Sequence, residues 1–115
     1  MFDHLGLSVR DLDASVRFYT ASLEPLGSGL CSRDAVGAGF GPAGAPALSL
    51  TRGESAASRG AHVAFRAPSR AAVDHFHAKG LGAGGRDNGA PGLRVEYSPT
   101  YYAAFLIDPD GNNVE

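Results

Sequence analysis

Gly60-Ala61-His62-Val63-Ala64-Phe65-Arg66-Ala67 is the stretch that decides the fold, because nearly the same pattern stands fifty-eight residues earlier as Phe2-Asp3-His4-Leu5-Gly6-Leu7-Ser8-Val9. Each run places one histidine near its start and apolar residues at alternate positions. Read as strands, side chains alternate between faces. Leu5, Leu7 and Val9 then share one face with each other, as do Val63, Phe65 and Ala67 in the second run. His4, Gly6 and Ser8 take the opposite face, matched by His62, Ala64 and Arg66. One face is built to be covered, and the other carries a histidine among small or polar neighbours.

The repeat extends beyond the histidines. At the same offset Phe18 falls on Phe76, Gly27 on Gly85, and the helix start Asp11-Leu12-Asp13 on Ser69-Arg70-Ala71. Self-similarity at a fixed period sets the architecture before any local reading does. In the first copy, Asp11 or Asp13 caps a helix whose stripe is Leu12, Val16, Tyr19 and Leu23, and Pro25 and Gly27 stop it. Three short strands follow, at 29–33, 36–41 and 47–51. The second copy repeats the plan, with Ser69 as the cap and Ala72, Val73 and Phe76 on the buried side. Residues 86–92 read as a turn-rich loop, 93–97 and 101–107 as strands, and Asp108-Pro109-Asp110-Gly111 as a hairpin turn. The expected fold is α+β: two βαβββ modules, 1–52 and 60–115, joined by a linker at 53–59 and forming a cupped mixed sheet with helices outside.

Composition narrows the function. The 115 residues suffice for a single domain with one two-layer core. A net charge of −2 and the lack of a basic run argue against nucleic acid as a partner. No apolar stretch approaches the roughly eighteen residues needed to cross a bilayer, and no secretion-signal pattern opens the chain, so a cytoplasmic location is expected. The lone Cys31 has no partner for a disulfide or a metal site and reads as a small, semi-buried apolar residue.

Parity carried across the hairpin gives the candidate site. If the turn pairs Ile107 with Asn112, Phe105 lies opposite Val114 on the covered face. Tyr102, Ala104, Asn113 and Glu115 then join the face that holds the histidines. His4, His62 and Glu115 would line one hollow, with Tyr102 placed to touch a ligand. Arg66 and Arg94 are candidates for an anionic substrate group, set against an ordinary solvated role. His75 and His77 read as solvated helix surface, and Asp108, Asp110 and Gly111 as turn chemistry.

The doubled strand-helix-three-strand unit, Asp11-Leu12 through Phe18-Tyr19, His62-Val63-Ala64-Phe65 and the closing Asp108-Pro109-Asp110-Gly111-Asn112-Asn113-Val114-Glu115 resemble the vicinal oxygen chelate superfamily. That group includes glyoxalase I, fosfomycin-resistance transferases, extradiol dioxygenases, methylmalonyl-CoA epimerase and bleomycin-resistance proteins. The resemblance implies a homodimer and a divalent metal (Fe, Mn, Zn, Ni or Co) held by His4, His62 and Glu115. It departs from glyoxalase I at Ser49, where that enzyme has a second glutamate; Ser49 is a poor metal ligand and stands instead as a substrate-contact candidate. Two histidines and one carboxylate leave open positions on an ion for the adjacent oxygens of a small substrate. The implied activity is metal-dependent lyase, isomerase, transferase or dioxygenase chemistry. The alternative is a metal-free protein that sequesters a small toxic compound. The hollow forms within one chain, or by exchange with a second copy that supplies His4 to the partner's His62 and Glu115.

Overall fold

The computed structural model describes residues 1–53 and 60–115, so the expected linker lies, apart from Gly53, outside the described residues. The first module comprises β1 (Leu5–Val9), α1 (Leu12–Leu23), β2 (Gly29–Arg33), β3 (Gly37–Gly41) and β4 (Leu48–Arg52). The second comprises β5 (His62–Val63), α2 (Arg70–Gly82), β6 (Arg86–Leu93), β7 (Tyr102–Ile107) and β8 (Asn113–Val114). Each forms a four-stranded mixed sheet, in the orders β1-β4-β3-β2 and β5-β8-β7-β6, and the described residues form no closed barrel. First and last strands run parallel in both modules, as β1 with β4 and β5 with β8. The duplication seen in the sequence is therefore a duplication of topology.

Local chemistry explains the matching helix starts. Asp11 accepts from the Ala14 amide at 3.0 Å and Ser69 from the Ala72 amide at 3.1 Å, the same N-cap bond made fifty-eight residues apart. A single 3-10 turn, Glu24–Leu26, follows α1, and Gly27 ends it in the left-handed region at φ 81°. One continuous core joins Leu7, Val9, Phe40 and Leu50 of the first sheet, Phe18, Tyr19 and Phe76 of the two helices, and Ala104, Leu106 and Val114 of the second sheet. The opposite faces of both sheets look away from this core. Edge strand β2 is exposed at all five positions, and Cys31 within it is exposed rather than semi-buried.

The helices approach closely because two glycines leave room. A Cβ at Gly80 would stand 2.3 Å from Leu106 Cδ1, and one at Gly85 would stand 2.6 Å from Phe18 Cε2 and 2.8 Å from the Gly80 carbonyl oxygen. Gly80 lies inside a helix, where glycine normally costs about 1 kcal/mol relative to alanine. Contact between α2 and β7 is what keeps it.

The turn Asp108–Asn112 ties the modules together. Asp108 is 2 % exposed, and its carboxylate accepts from the backbone amides of Asp110 and Asn112 and from Asn112 Nδ2, each at 2.9 Å. It also accepts from the Tyr19 hydroxyl at 2.7 Å, a bond that reaches from the second module into α1 of the first. Burial and the Asp108 charge push the Tyr19 phenol far above its usual range, so it stays a donor. Asp110 adds bonds from the Arg10 amide at 3.2 Å and the Ser15 hydroxyl at 3.4 Å.

Three expectations within the second module are corrected. Residues 86–92, read as a loop, form most of β6, pairing with β7 through two register shifts that absorb the glycines and Pro91. Residues 94–97, read as strand, lie instead in a turn closed by the Tyr97 amide on the Arg94 carbonyl. His77, read as solvated, is 9 % exposed and its Nε2 lies 2.9 Å from Asp87 Oδ1. That bond, with one from the Gly89 amide, holds the Asp87 carboxyl below its usual range.

Two substitutions test this account of cohesion. Tyr19→Phe removes the hydroxyl and leaves Asp108 short of a donor in a buried site; it should lower unfolding stability by about 1–3 kcal/mol, while Tyr97→Phe, on an exposed residue, changes little. Gly80→Ala, favourable by helix propensity, should instead destabilise by about 1–3 kcal/mol through overpacking against Leu106. Chemical denaturation midpoints read both, and a stabilised Gly80→Ala protein would contradict the close-approach explanation.

Candidate functional site

The hairpin register fixes which side chains reach the histidine face. Leu106 pairs with Val114 and Ile107 with Asn113, one residue away from the expected Ile107–Asn112 pairing. The Asp108 amide donates to the Asn112 carbonyl and the Gly111 amide to that of Asp108, so Asn112 belongs to the turn. Its side chain is drawn inward by Asp108 and by the Ala61 amide, which donates to its Oδ1 at 3.2 Å. A slip of one residue exchanges the two faces of a strand. Phe105, expected under the helices, is half-buried with its ring centroid 6.3 Å from that of His62. Ala104 is in the core instead.

Tyr102 moves with that register. Its hydroxyl donates to Asp74 Oδ1 on α2 at 2.7 Å, and the Arg70 guanidinium lies 5.1 Å from its ring centroid. Bonding to Asp74 pushes its phenol above the ordinary value. Tyr102 therefore faces α2, contrary to the expected position beside the histidines.

His62 and Glu115 do come together. Backbone bonds from the Glu115 amide to the Val63 carbonyl and from the Phe65 amide to the Glu115 carbonyl continue the β5–β8 ladder past its two paired residues. They bring Glu115 Oε2 to 2.8 Å from His62 Nε2. The Glu115 side chain is 9 % exposed and that of His62 52 %. The Tyr101 hydroxyl donates to Glu115 Oε1, and this bond, with partial burial, raises the Tyr101 phenol. A chain Tyr101–Glu115–His62 results, with Tyr97 packed edge-on against Tyr101 at 5.4 Å. From sequence Tyr101 reads as a core or rim aromatic as readily as a site residue; the observed register puts it on the Glu115 face, two strands from His62.

His4 stands apart from this pair. It precedes β1, with Nδ1 2.8 Å from Asp3 Oδ1 and a largely exposed side chain, in a small pocket shared with Phe2, Ser28 and Phe40. Among the described residues no three His, Cys, Asp or Glu side chains converge on one point. Ser49 is half-buried in β4, in register with Gly6 and Gly39. Arg66 lines a cavity of about 650 Å³ with Arg70, Tyr101, Tyr102 and Glu115 over a floor that includes Val73 and Phe76. Arg94 lies over Phe105, its guanidinium carbon 5.3 Å from the ring centroid.

Two βαβββ modules with a histidine at the head of one sheet and a histidine–glutamate pair in the other define a class of duplicated-module proteins. The chain belongs to the Glyoxalase/Bleomycin resistance protein/Dioxygenase superfamily, whose family profile matches residues 1–115. A glyoxalase/bleomycin resistance protein from Albidiferax ferrireducens is similar to it at 33 % identity and a TM-score of 0.85, over 99 % of this chain and 94 % of that one. A glyoxalase/bleomycin resistance protein/dioxygenase family enzyme from Burkholderia phytofirmans shares the fold at 20 % identity and a TM-score of 0.71, over 97 % and 93 % of the two chains. The bleomycin resistance determinant of transposon Tn5 does so at 24 % identity and 0.63, over 95 % and 89 %. No match was found among curated proteins. No helix among the described residues is long and apolar enough to cross a membrane.

The corrected face of Tyr102 is testable by titration. In the Asp74→Ala protein one tyrosine should ionise closer to the ordinary phenol value than in the parent, because the bond that favours the protonated form is gone. Absorbance of phenolate against pH reads this. Unchanged curves would return Tyr102 to the histidine face.

Proposed function

We propose that the protein is a metal-dependent enzyme of this superfamily, acting on a small oxygenated substrate at a site built from two copies of the chain. The observation that carries the reading is the His62–Glu115 pair: an imidazole and a nearly buried carboxylate, 2.8 Å apart, on the sheet face turned away from the core. Their chemistry fits a divalent ion such as Fe, Mn, Zn, Ni or Co. His62 and Glu115 would hold it from one copy and His4 from the other. When bound, the ion supplies a Lewis acid and open positions for adjacent substrate oxygens.

The chain's own residues prepare that site. Tyr101 donates to one oxygen of Glu115 and so directs the other toward His62, the outer-shell support that metal-ligating carboxylates use. Phe105 packs beside the imidazole and limits water on that side. The need for a second copy is supported by the shared core: α1 and α2 occupy the inner faces of both sheets, leaving the two histidine-bearing faces on the outside. Edge strand β2, exposed throughout, gives such a copy a surface to cover. A homodimer is the simplest closed arrangement. Ser49, Arg66, Arg94 and Tyr102 are proposed to contact substrate, Arg66 and Tyr102 from the cavity that Glu115 also lines.

A metal-free sequestering protein is the second reading. It is favoured by one feature, the aromatic rings of Phe105, Tyr101 and Tyr97 beside the His62–Glu115 pair, a lining suited to holding a small organic molecule.

Metal content of protein purified without chelating resin separates the two. The parent should retain a divalent ion, and the His4→Ala, His62→Ala double variant should not. Equal content in both overturns the enzyme reading. Mixing His4→Ala chains with His62→Ala chains by co-expression should restore about a quarter of parental metal, because only the mixed dimer regains one intact site of two. No restoration would place the site within one chain.

A further inference from the structure

Arg94 is held in one direction by β6 and Phe105, and its bond to Ala90 falls where the β6–β7 ladder is interrupted. Its Nη2 donates to the Ala90 carbonyl at 2.6 Å, and its guanidinium carbon sits 5.3 Å from the centroid of Phe105. Two glycines of β6 make the space: a Cβ at Gly92 would lie 3.1 Å from Nη1, and one at Gly89 would lie 3.3 Å from Nη2 and 2.9 Å from Phe105 Cδ2. The guanidinium thus lies close against β6, and Phe105 neighbours both it and His62. Among the described residues no carboxylate pairs with it.

A guanidinium carries more donors than one carbonyl can use, and the remaining ones keep the planar fork that matches an oxyanion. Stacking on an aromatic face and one backbone bond fix its direction in advance, which reduces the entropy lost when an anion binds. An unpaired, pre-oriented cation on the His62 face favours a negatively charged ligand and opposes a positively charged one.

We propose that Arg94 is the anion-recognition residue of the His62–Glu115 site and that the substrate class is a small molecule bearing a carboxylate, phosphate or phosphonate group. That group meets Arg94, the body of the molecule lies over Phe105, and its other oxygens reach the His62–Glu115 pair. The proposal rests on the reading of this hollow as the binding site but not on the presence of a metal. It distinguishes Arg94, which lies over Phe105, from Arg66, which reaches Glu115 from the cavity they both line.

Binding of acetate and methylphosphonate to the full chain, followed by NMR shifts of the Arg94 Nε–H group and the His62 and Phe105 amides, tests this directly. Acetamide serves as the neutral control. Both anions should move all three signals, and acetamide should not. Arg94→Gln should weaken anion binding by about tenfold or more, the worth of a charge-assisted hydrogen bond. Gly92→Ala keeps the charge but displaces the fork, since the new Cβ meets only the far end of a flexible side chain; it should weaken binding with an unchanged melting temperature. Arg94→Lys should recover part of the affinity. Absence of anion binding to the parent, equal affinity in Arg94→Gln, or equal response to acetamide would each overturn the proposal. Metal content measured on the same samples keeps the two readings separate: Arg94-dependent anion binding in a chain that holds no metal leaves this inference standing and removes the enzyme reading.

Discussion

Everything in this structure depends on one buried carboxylate. Asp108 is almost wholly removed from water, and a charge in that position persists only when hydrogen bonds replace its hydration. Two backbone amides, the Asn112 side chain and the Tyr19 hydroxyl do so. The first three shape the turn, and the fourth belongs to the other module. The same residue therefore sets where β8 begins and where the second module sits on the first. Because β8 carries Glu115 past its end, the geometry of the His62–Glu115 pair is inherited from a carboxylate on the opposite side of the sheet.

This link explains which parts of the molecule were legible in the sequence. The repeat, both N-caps, the helix stop at Gly27 and all four strands of the first module follow from spacing and turn residues, because those are local signals. The shared face of His62 and Glu115 was also legible, since alternation next to the covered Val63 and Val114 turns both the other way; His4, expected with them, stands apart. What failed was the hairpin count. A turn of the Asp-Pro-Asp-Gly type suggests two strands closing immediately after glycine. Nothing local says that Asn112 will be pulled inward by Asp108 and Ala61, and that pull moved Phe105 to the site and Tyr102 away from it.

The second failure was β6. Its sequence, Arg86 through Leu93, holds two glycines and a proline, all of which discourage strand assignment. The strand forms because register shifts pass over those residues and because β7 offers it a long partner. Those glycines are also the ones that accommodate the Arg94 guanidinium. A segment that looks like poor strand is, in three dimensions, a strand thinned to admit a side chain; local propensity and the demands of the hollow conflict there.

The shared core has a meaning for how such a chain is held together. Symmetry in the sequence suggests two interchangeable halves, yet Phe18 of one helix rests against Gly85 of the other module, and Gly80 faces Leu106 and the first module's Phe18 and Ser22. The halves have specialised into lock and key. Neither could be replaced by a copy of its twin, and a break between them would expose the apolar side of both helices at once. The molecule is double in plan but single in cohesion.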